Sequence, residues 1–406
     1  MRRGAGLSLR PPDERGAVPR MAASASKRNR MKSGVKAIAW VAVGAVVAAL
    51  AAGGLALWNS STPAPVRIGI LGEMTGRSAD NGIAMRNGVL IAIDEYKTKG
   101  LLKGAEVEVL VRDAGDTRES AEQAARELAA ARPLVVVGPV NTVTVEAALP
   151  PLDAAGIVLM APAASALHLS GRDDHLFRGN WTTRENGSDY ARHYFDAGIQ
   201  TVSVVINLNN RSFADSWFTE FRSAYEAVGG KVLAHEYFDS ADSNLEGVLQ
   251  KLLAPKPAAL VLIANATDAG RLAQQTRKLN ADVPLIAAEW AGTTHLIQQG
   301  GKAVEGLRIV QNVNRDDTSV AYQSFIATYR ERFNQEPEYV SILSYDMAAA
   351  ALQAHMRRTD GMGLKQALLT HGPFDGLQQK IRFNATGDNG RTAYFMVVRD
   401  GRFVRE

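Results

Sequence analysis

Residues 134–170 read LVVVGPVNTVTVEAALPPLDAAGIVLMAPAASALHLS, and this stretch decides the fold. It contains two short apolar runs rich in β-branched or large aliphatic residues, Leu134–Val137 and Ile157–Met160. Each run ends at a proline-containing pair, Gly138-Pro139 and Ala161-Pro162. Continuous apolar runs of this length are typical of strands that are buried on both faces of a parallel sheet. The stretch therefore predicts two adjacent strands of an α/β fold.

The segment between the two runs predicts a crossover helix with a polar loop at each strand end. Residues Thr144–Ala155 are long enough for this helix, although Pro150-Pro151 must kink it or end it early. The loops are Asn141-Thr142 after the first strand and Ala163–Ser165 after the second. Ligands bind open α/β sheets at the carboxyl ends of strands, where loops expose backbone N–H groups and short hydroxyls. These two loops therefore predict half of a pocket for a small anion.

The composition is that of an ordinary globular protein. Of the 406 residues, 46% are hydrophobic and 22% are charged, and the length suits roughly two domains of about 150 residues each. The net charge is +4, but the first 36 residues hold ten basic and two acidic residues, so the rest of the chain carries −4. The positive charge therefore does not indicate nucleic-acid binding. The chain has no cysteine, which excludes disulfides, thiolate metal sites, a cysteine nucleophile and a lipid-modified N-terminal cysteine.

The N-terminal part predicts a targeting signal. A basic segment, residues 1–36, precedes residues 37–58, which contain no charged side chain. About 20 apolar residues can span a bilayer, and the basic flank should stay cytoplasmic. The triplet Ala49-Leu50-Ala51 offers a cleavage site. The sequence therefore leaves two alternatives, a signal peptide that is removed and a transmembrane anchor that is retained. Residues 59–65 form a polar linker, and the folded part should lie on the extracytoplasmic, periplasmic side of the membrane.

From Val66 onward, predicted strands and helices alternate, which indicates parallel sheets with right-handed crossovers. The first series has strands at Val66–Leu71, Val107–Arg112, Leu134–Val137 and Ile157–Met160. A second series has strands at Thr201–Ile206, Lys231–Tyr237, Ala258–Ile263, Pro284–Ala287 and Leu307–Gln311. The C-terminal segments Lys380–Phe383 and Thr392–Arg399 predict two strands joined by a turn. The chain therefore makes the same kind of α/β lobe twice.

The order of these elements resembles the type I periplasmic binding fold, specifically the leucine/isoleucine/valine-binding group of ABC-transporter receptors. The resemblance runs from Val66 to the C-terminus. It is carried by Ile68–Gly76 (IGILGEMTG), Arg112–Thr117 (RDAGDT), Val137–Pro139 (VGP), Met160–Ser165 (MAPAAS) and Tyr345-Asp346. It implies two doubly wound parallel-sheet lobes joined by a hinge and preceded by a signal or anchor helix. We expect residues 66–183 and 312–378 in the first lobe and residues 184–311 and 379–406 in the second.

The resemblance implies a site for an α-amino acid. In the family, a hydroxyl residue after the third strand holds the ligand α-carboxylate, and Thr142 stands at that position. Ser165 and Ala163 match the positions that contact the carboxylate and ammonium after the next strand, and Glu289 matches the acid that receives the ammonium. Charge-assisted hydrogen bonds make such groups suitable for both charges. The alternative roles are structural: Thr142 and Ser165 could cap helices, and Glu289 could be a solvated acid in a loop.

Four further positions are candidates for ligand contact. Phe213 loosely matches an aromatic residue that packs on the ligand from the second lobe. Asn81 stands where the family commonly has an aromatic residue, and Asn141 precedes Thr142 in its loop. Trp181 lies near the expected crossing between the lobes. Because some of these positions depart from the family pattern, the sequence does not predict which side chain the ligand carries.

Three function classes compete: a receptor for an ABC permease, a membrane-tethered sensor of the same fold, and an α/β enzyme. The sequence lacks G-x-S-x-G, a P-loop and G-x-G-x-x-G after a strand, which argues against an enzyme. The seven histidines show no metal-binding spacing, and we expect no cofactor. We therefore expect a monomeric binding protein that takes a branched-chain or small polar amino acid, or an amide, to an ABC permease. The sensor is the alternative.

Overall fold

The computed structural model describes residues 45–48, 65–102, 104–241 and 244–406. The N-terminal segments 1–36, 37–58 and 59–65 lie outside the described residues, apart from a helical stretch at 45–48 and from Pro65. Within the described ranges, no helix is both long and apolar enough to cross a membrane.

The first lobe is built on a five-stranded parallel sheet. Its strands are β1 (Val66–Gly72), β2 (Val107–Asp113), β3 (Val135–Val137), β4 (Val158–Ala161) and β5 (Leu176–Arg178). Its first helices are α1 (Ala79–Thr98), α2 (Arg118–Ala131) and α3 (Thr142–Ala154), with a short 3-10 helix at Leu167–Leu169. The strand order is β2-β1-β3-β4-β5. The two apolar runs of the sequence form β3 and β4, which pair in parallel with side chains at most 2% exposed, as predicted.

Helix α3 continues through Pro150 and Pro151, whereas the sequence predicted a kink or an early end. Neither proline can donate a backbone hydrogen bond. Val145, Leu149 and Leu152 lie on the buried face of this helix, at most 3% exposed, within the core of the first lobe. The burial of this face offsets the missing hydrogen bonds.

The second lobe repeats the alternation. Its first strands are β6 (Thr201–Asn207), β7 (Lys231–Phe238), β8 (Ala259–Ile263), β9 (Leu285–Ala287) and β10 (Arg308–Gln311). Its helices are α4 (Thr183–Asp196), α5 (Arg211–Ala227), α6 (Leu245–Leu253), α7 (Ala266–Leu279) and α8 (Thr294–Gly300), with short 3-10 helices at Glu289–Ala291 and Gly301–Val304. These five strands pair in parallel. Two apolar clusters are built on this sheet.

After β10 the chain returns to the first lobe and then crosses back. The elements that follow β10 are α9 (Val320–Phe333), α10 (Tyr339–Arg357), α11 (Leu364–Thr370), β11 (Phe374–Asp375), β12 (Lys380–Ile381), β13 (Tyr394–Arg399) and β14 (Arg402–Arg405). Strands β13 and β14 join the second sheet in the order β14-β13-β10-β9-β8-β6-β7. Both pair antiparallel, so they extend the predicted parallel sheet of the second lobe at one edge.

Both predicted C-terminal strands form, but they do not pair with each other. Strand β12 pairs with β11, while β13 pairs with β10 and β14. The cause is packing, because Ile381 and Phe383 are buried in the core of the first lobe. We therefore propose that the final crossing to the second lobe follows residue 383, not residue 378. The other predicted boundaries are kept as proposals.

A buried ion pair holds two of the segments that connect the lobes. The Arg391 guanidinium lies 2.8 Å from the Asp346 carboxylate on α10, and both side chains are 1% exposed. Arg391 also donates to the backbone carbonyl of Asn312, and the backbone N–H of Leu377 donates to Asp346. Burial raises the pKa of Asp346, and Arg391 opposes that shift. The pair therefore ties the segments around residues 312 and 391 to the first lobe.

Candidate functional site

A narrow cleft lies between the lobes at the carboxyl ends of their strands. Its lining residues are Val140, Asn141, Thr142, Ala163, Asn180, Asn210, Phe213, Glu289, Trp290 and Tyr339. The first four follow β3 and β4 of the first sheet, and the pairs Asn210/Phe213 and Glu289/Trp290 follow β6 and β9 of the second. The cleft thus collects residues from both lobes at the edge where α/β sheets bind ligands.

The start of α3 is fixed by a buried carboxylate, that of Glu73. Its side chain accepts hydrogen bonds from the backbone N–H of Val140 at 3.1 Å, the N–H of Asn141 at 3.0 Å and the hydroxyl of Thr144 at 2.5 Å. Burial raises the pKa of Glu73, while these hydrogen bonds lower it. Glu73 therefore positions the loop that carries Asn141 and Thr142. The sequence analysis missed this role, although an acid directly after a buried strand was a usable signal.

Thr142 and Ser165 each present a buried hydroxyl. Both side chains are 1% exposed, and neither hydroxyl has a hydrogen-bond partner among the described residues. Thr142 is the first residue of α3, whose N-cap is Asn141, so it does not act as the cap. Buried hydroxyls normally find a partner. Two buried hydroxyl donors are thus without a partner, and that of Thr142 lies at the positive end of α3, where anions are stabilised.

Glu289 presents a buried carboxylate to the cleft from the second lobe. It is 6% exposed, so it is not a solvated loop acid. Asn186 Nδ2 donates to Oε1 at 2.8 Å, and Trp217 Nε1 donates to Oε2 at 2.9 Å. No cationic side chain of the described residues is among the causes that shift its pKa, which burial raises to about 7. The site therefore holds an acid that lacks a counter-charge.

The raised pKa of Glu289 predicts a pH-dependent stability for the unliganded protein. The ordinary value is 4.5, so between about pH 4.5 and 7 the folded state binds more protons at this group than the unfolded chain. The free energy of unfolding should therefore fall by roughly 3 kcal/mol as the pH rises through this window. Urea unfolding of wild type and Glu289→Gln at several pH values measures this, because the other acids cancel in the difference. Parallel curves for the two proteins would contradict it.

Aromatic side chains form much of the remaining wall. The rings of Phe213 and Trp290 meet edge to face, with centroids 5.8 Å apart. Tyr339, at the start of α10, lines the cleft from the first lobe, and burial raises its pKa well above the usual value. The indole Nε1 of Trp290 has no partner among the described residues. The cleft therefore combines the polar groups of Thr142 and Glu289 with a wall of aromatic side chains.

Hydrogen bonds join the lobes around the cleft. They run from the Val143 N–H to Asn210 (3.1 Å), from Ser212 to Glu146 (2.9 Å), from Thr293 to Asp80 (2.8 Å) and from the Thr294 N–H to Glu338 (2.8 Å). Opening about the connecting segments would break these bonds but leave both sheets intact. This arrangement suits a hinge closure between two packed lobes. Within the described residues, no group of His, Asp and Glu side chains could hold a metal ion.

A family model described as "Periplasmic binding protein" matches residues 65–402 of the chain. The chain belongs to the periplasmic binding protein family. This membership confirms the family assignment that the order of the sequence motifs indicated.

Individual relatives are similar to this periplasmic binding protein at low identity. A leucine-, isoleucine-, valine-, threonine- and alanine-binding protein of Pseudomonas aeruginosa is 24% identical over 265 residues, covering 64% of this chain and 69% of the relative. The solved structure of a branched-chain amino-acid transporter substrate-binding protein from Streptococcus pneumoniae, in complex with isoleucine, has a TM-score of 0.77 at 23% identity. It covers 84% of this chain and 100% of that one.

A third neighbour binds a different ligand class. The solute-binding protein of an ABC transporter from R. palustris, solved in complex with benzoate, has a TM-score of 0.75 at 17% identity. It covers 84% of this chain and 95% of that one. These structural likenesses confirm the two-lobed α/β fold.

The structure brings together most of the predicted site residues, but not all. Those that line the cleft are Asn141, Thr142, Ala163, Phe213 and Glu289. Ser165 is buried two residues beyond Ala163 and is not part of the lining. Trp181 lines a separate cavity, where its ring packs against Gly390. Asn81 is fully buried in α1, and neither of its polar side-chain atoms has a partner among the described residues.

The sequence analysis missed Asn180, Asn210, Trp290 and Tyr339. Trp290 follows Glu289 directly, so its place at a strand end was a usable signal. Tyr339 lies about 50 residues farther along the chain, and only the packing of α10 brings it to the cleft. Asn180 lies in the first connecting segment, and no local pattern marks it.

Proposed function

We propose that this protein captures an α-amino acid between its two lobes by hinge closure and delivers it to an ABC permease. The observation that carries the proposal is Glu289, a buried carboxylate that faces the cleft and has no cationic partner among the described residues. A ligand ammonium would supply the missing charge, because a buried charge without a partner is costly. Closure then follows from contacts that a ligand makes with both lobes, since these favour the closed state.

The first lobe supplies the opposite half of the proposed site. The hydroxyls of Thr142 and Ser165 and the positive end of α3 would hold the ligand α-carboxylate through charge-assisted hydrogen bonds. Glu73 supports this half by fixing the loop before α3. The ligand would thus bridge an anion site on the first lobe and a cation site on the second.

The lining of the cleft supports a single small molecule. Ten residues from both lobes enclose it, and most of them are apolar or uncharged, as in small-molecule sites. A branched-chain amino acid, or a small polar amino acid or amide, suits such an interlobe site better than a peptide. The amino acids named for the P. aeruginosa and S. pneumoniae relatives support the same class.

An aromatic carboxylate, as bound by the R. palustris neighbour, is the competing ligand class. The aromatic wall of the cleft could accept such a molecule. It carries no cation, however, and would leave Glu289 buried without a counter-charge. The amino acid is therefore the better match.

Location and partners follow from the proposed role. Membership of this family implies an extracytoplasmic location, and we place the protein in the periplasm as a monomer that docks on its permease. If residues 37–58 are retained, they would anchor it to the membrane. We propose no enzymatic role and no cofactor, and ligand contacts for Trp181 and Asn81 are kept as proposals.

A thermal-shift screen tests the proposed function. Purified protein would be heated with each amino acid, with amides and with aromatic carboxylates. A ligand at 100 times its dissociation constant should add about 2.7 kcal/mol of stability. We expect stabilisation by amino acids and none by carboxylates that lack an amino group. Stabilisation by benzoate alone would contradict the proposal.

Replacing Thr142 by valine should weaken amino-acid binding by about 10- to 100-fold. The change removes a hydroxyl that donates to a charged carboxylate, a contribution of about 1.5–3 kcal/mol, while keeping the shape of the side chain. Calorimetric titration measures the dissociation constant. Thr370→Val is the matched control, because Thr370 is exposed on α11 and its hydroxyl bonds only to the Gln366 carbonyl. Equal losses in both variants would contradict the role of Thr142.

A further inference from the structure

Two polar atoms of the cleft remain without a partner after both charges of the proposed amino acid have been assigned. They are the indole Nε1 of Trp290, which can only donate, and the amide Oδ1 of Asn141, which can only accept. The two side chains are 5% and 6% exposed, and both residues line the cleft. Neither atom has a hydrogen-bond partner among the described residues. A ligand that occupies the cleft therefore meets an unsatisfied donor and an unsatisfied acceptor.

The charges of the lining exclude ionised ligand side chains. Glu289 is the single charged residue among those that line the cleft, and the proposed function uses it for the α-ammonium. The carbonyl oxygens of the other two amides have partners: Asn210 Oδ1 accepts from the Val143 N–H, and Asn180 Oδ1 accepts from the Trp181 N–H. A second charge on the ligand would therefore be buried without a counter-ion. Lysine, arginine, aspartate and glutamate do not suit this site.

A purely apolar side chain would leave the Trp290 donor and the Asn141 acceptor buried and unpaired. Each unpaired group costs about tenfold in affinity. The two groups approach from different lobes, because Trp290 follows β9 and Asn141 follows β3. A primary carboxamide carries its acceptor and its donor on separate atoms, so it can reach both walls. A hydroxyl would have to use one oxygen for both.

We propose that the ligand of this protein is an amino acid whose side chain ends in a primary carboxamide. Its carbonyl accepts from Trp290 Nε1, and its NH₂ donates to Asn141 Oδ1. The inference rests on the proposed function and narrows it from amino acids in general to this class. It also explains closure, since the side chain, like the α-groups, then bridges the two lobes.

Calorimetric titrations with pairs of similar shape test the proposal. Asparagine is compared with leucine, and glutamine with methionine, because each pair differs mainly in the polarity of the side-chain end. We expect the amide of at least one pair to bind about tenfold tighter than its apolar counterpart or better. Aspartate and glutamate should not bind measurably.

Two variants test whether the preference for the amide side chain depends on Trp290 Nε1 and Asn141 Oδ1. Trp290→Phe keeps an aromatic ring but removes Nε1, and Asn141→Ala removes the acceptor. Each should reduce the amide preference by about tenfold, chiefly by weakening the amide. Tyr237→Phe removes a hydrogen-bonding group from an exposed aromatic residue outside the cleft lining, so it is the control and should keep the full preference.

The outcomes separate this inference from the proposed function. Leucine or methionine binding as tightly as the amides would overturn the inference while the amino-acid function stands. A preference that survives in both Trp290→Phe and Asn141→Ala would overturn the assignment of the two atoms. Failure of every amino acid to bind would overturn the proposed function itself.

Discussion

Replacing Glu289 by glutamine should weaken amino-acid binding by about 100-fold or more. Removing one partner of a buried ion pair costs about 3–5 kcal/mol, because the other charge is left without compensation. Glutamine keeps the size of the side chain, so Asn186 and Trp217 retain a neighbour of the same shape. Calorimetric titration with the amino acid that gives the largest thermal shift measures the loss.

Two controls make this result specific to the ammonium. Glu122→Gln changes an exposed acid on α2 and should leave the affinity unchanged. A ligand that lacks the amino group should not be weakened by Glu289→Gln, since it offers no charge to the carboxylate. Unchanged affinity of Glu289→Gln for the amino acid would place the ammonium elsewhere.

Replacing Arg391 by methionine should lower the free energy of unfolding by about 3–5 kcal/mol. The change leaves the Asp346 carboxylate unpaired at a site where both side chains are 1% exposed. It also removes the hydrogen bond from Arg391 to the Asn312 carbonyl, which lies in another connecting segment. Urea unfolding followed by circular dichroism measures the loss.

The double variant Asp346→Asn/Arg391→Met is the matched control for that loss. It removes the buried charge together with its partner, so it should recover part of the stability lost by Arg391→Met alone. An unfolding midpoint of Arg391→Met equal to that of wild type would contradict the role given to this pair. A double variant less stable than the single one would contradict the electrostatic cause.

The central strands of both sheets could be predicted from local sequence because they are buried on both faces. β3 and β4 form from short continuous apolar runs, which can be recognised as buried strands without knowledge of the tertiary structure. Local sequence does not determine the lobe of the predicted strand Lys380–Phe383. Its residues Ile381 and Phe383 are as apolar as a second-lobe strand would require, but they pack in the first-lobe core. Periodicity alone does not say which core receives a strand.

The site was predictable where strand ends determine it. Thr142, Ala163 and Glu289 lie in the loops or helix starts that follow strands, so the carboxyl edges of the sheets bring them to the cleft. Tyr339 begins a helix that reaches the cleft only by packing on α1, and Asn180 depends on the course of the chain between lobes. Trp181 lies near a crossing in sequence, but its side chain lines a separate cavity beside Gly390, so a ligand contact for it stays a prediction.

The most direct test of the account is a calorimetric comparison of one amino acid with its deaminated counterpart on the wild-type protein. The central claim is that Glu289 pairs with the ligand ammonium while the first lobe holds its carboxylate. At pH 8, where Glu289 with a pKa of about 7 is largely ionised, the amino acid should bind about 100-fold tighter than the molecule without the amino group. Equal affinity for the two molecules would contradict the claim.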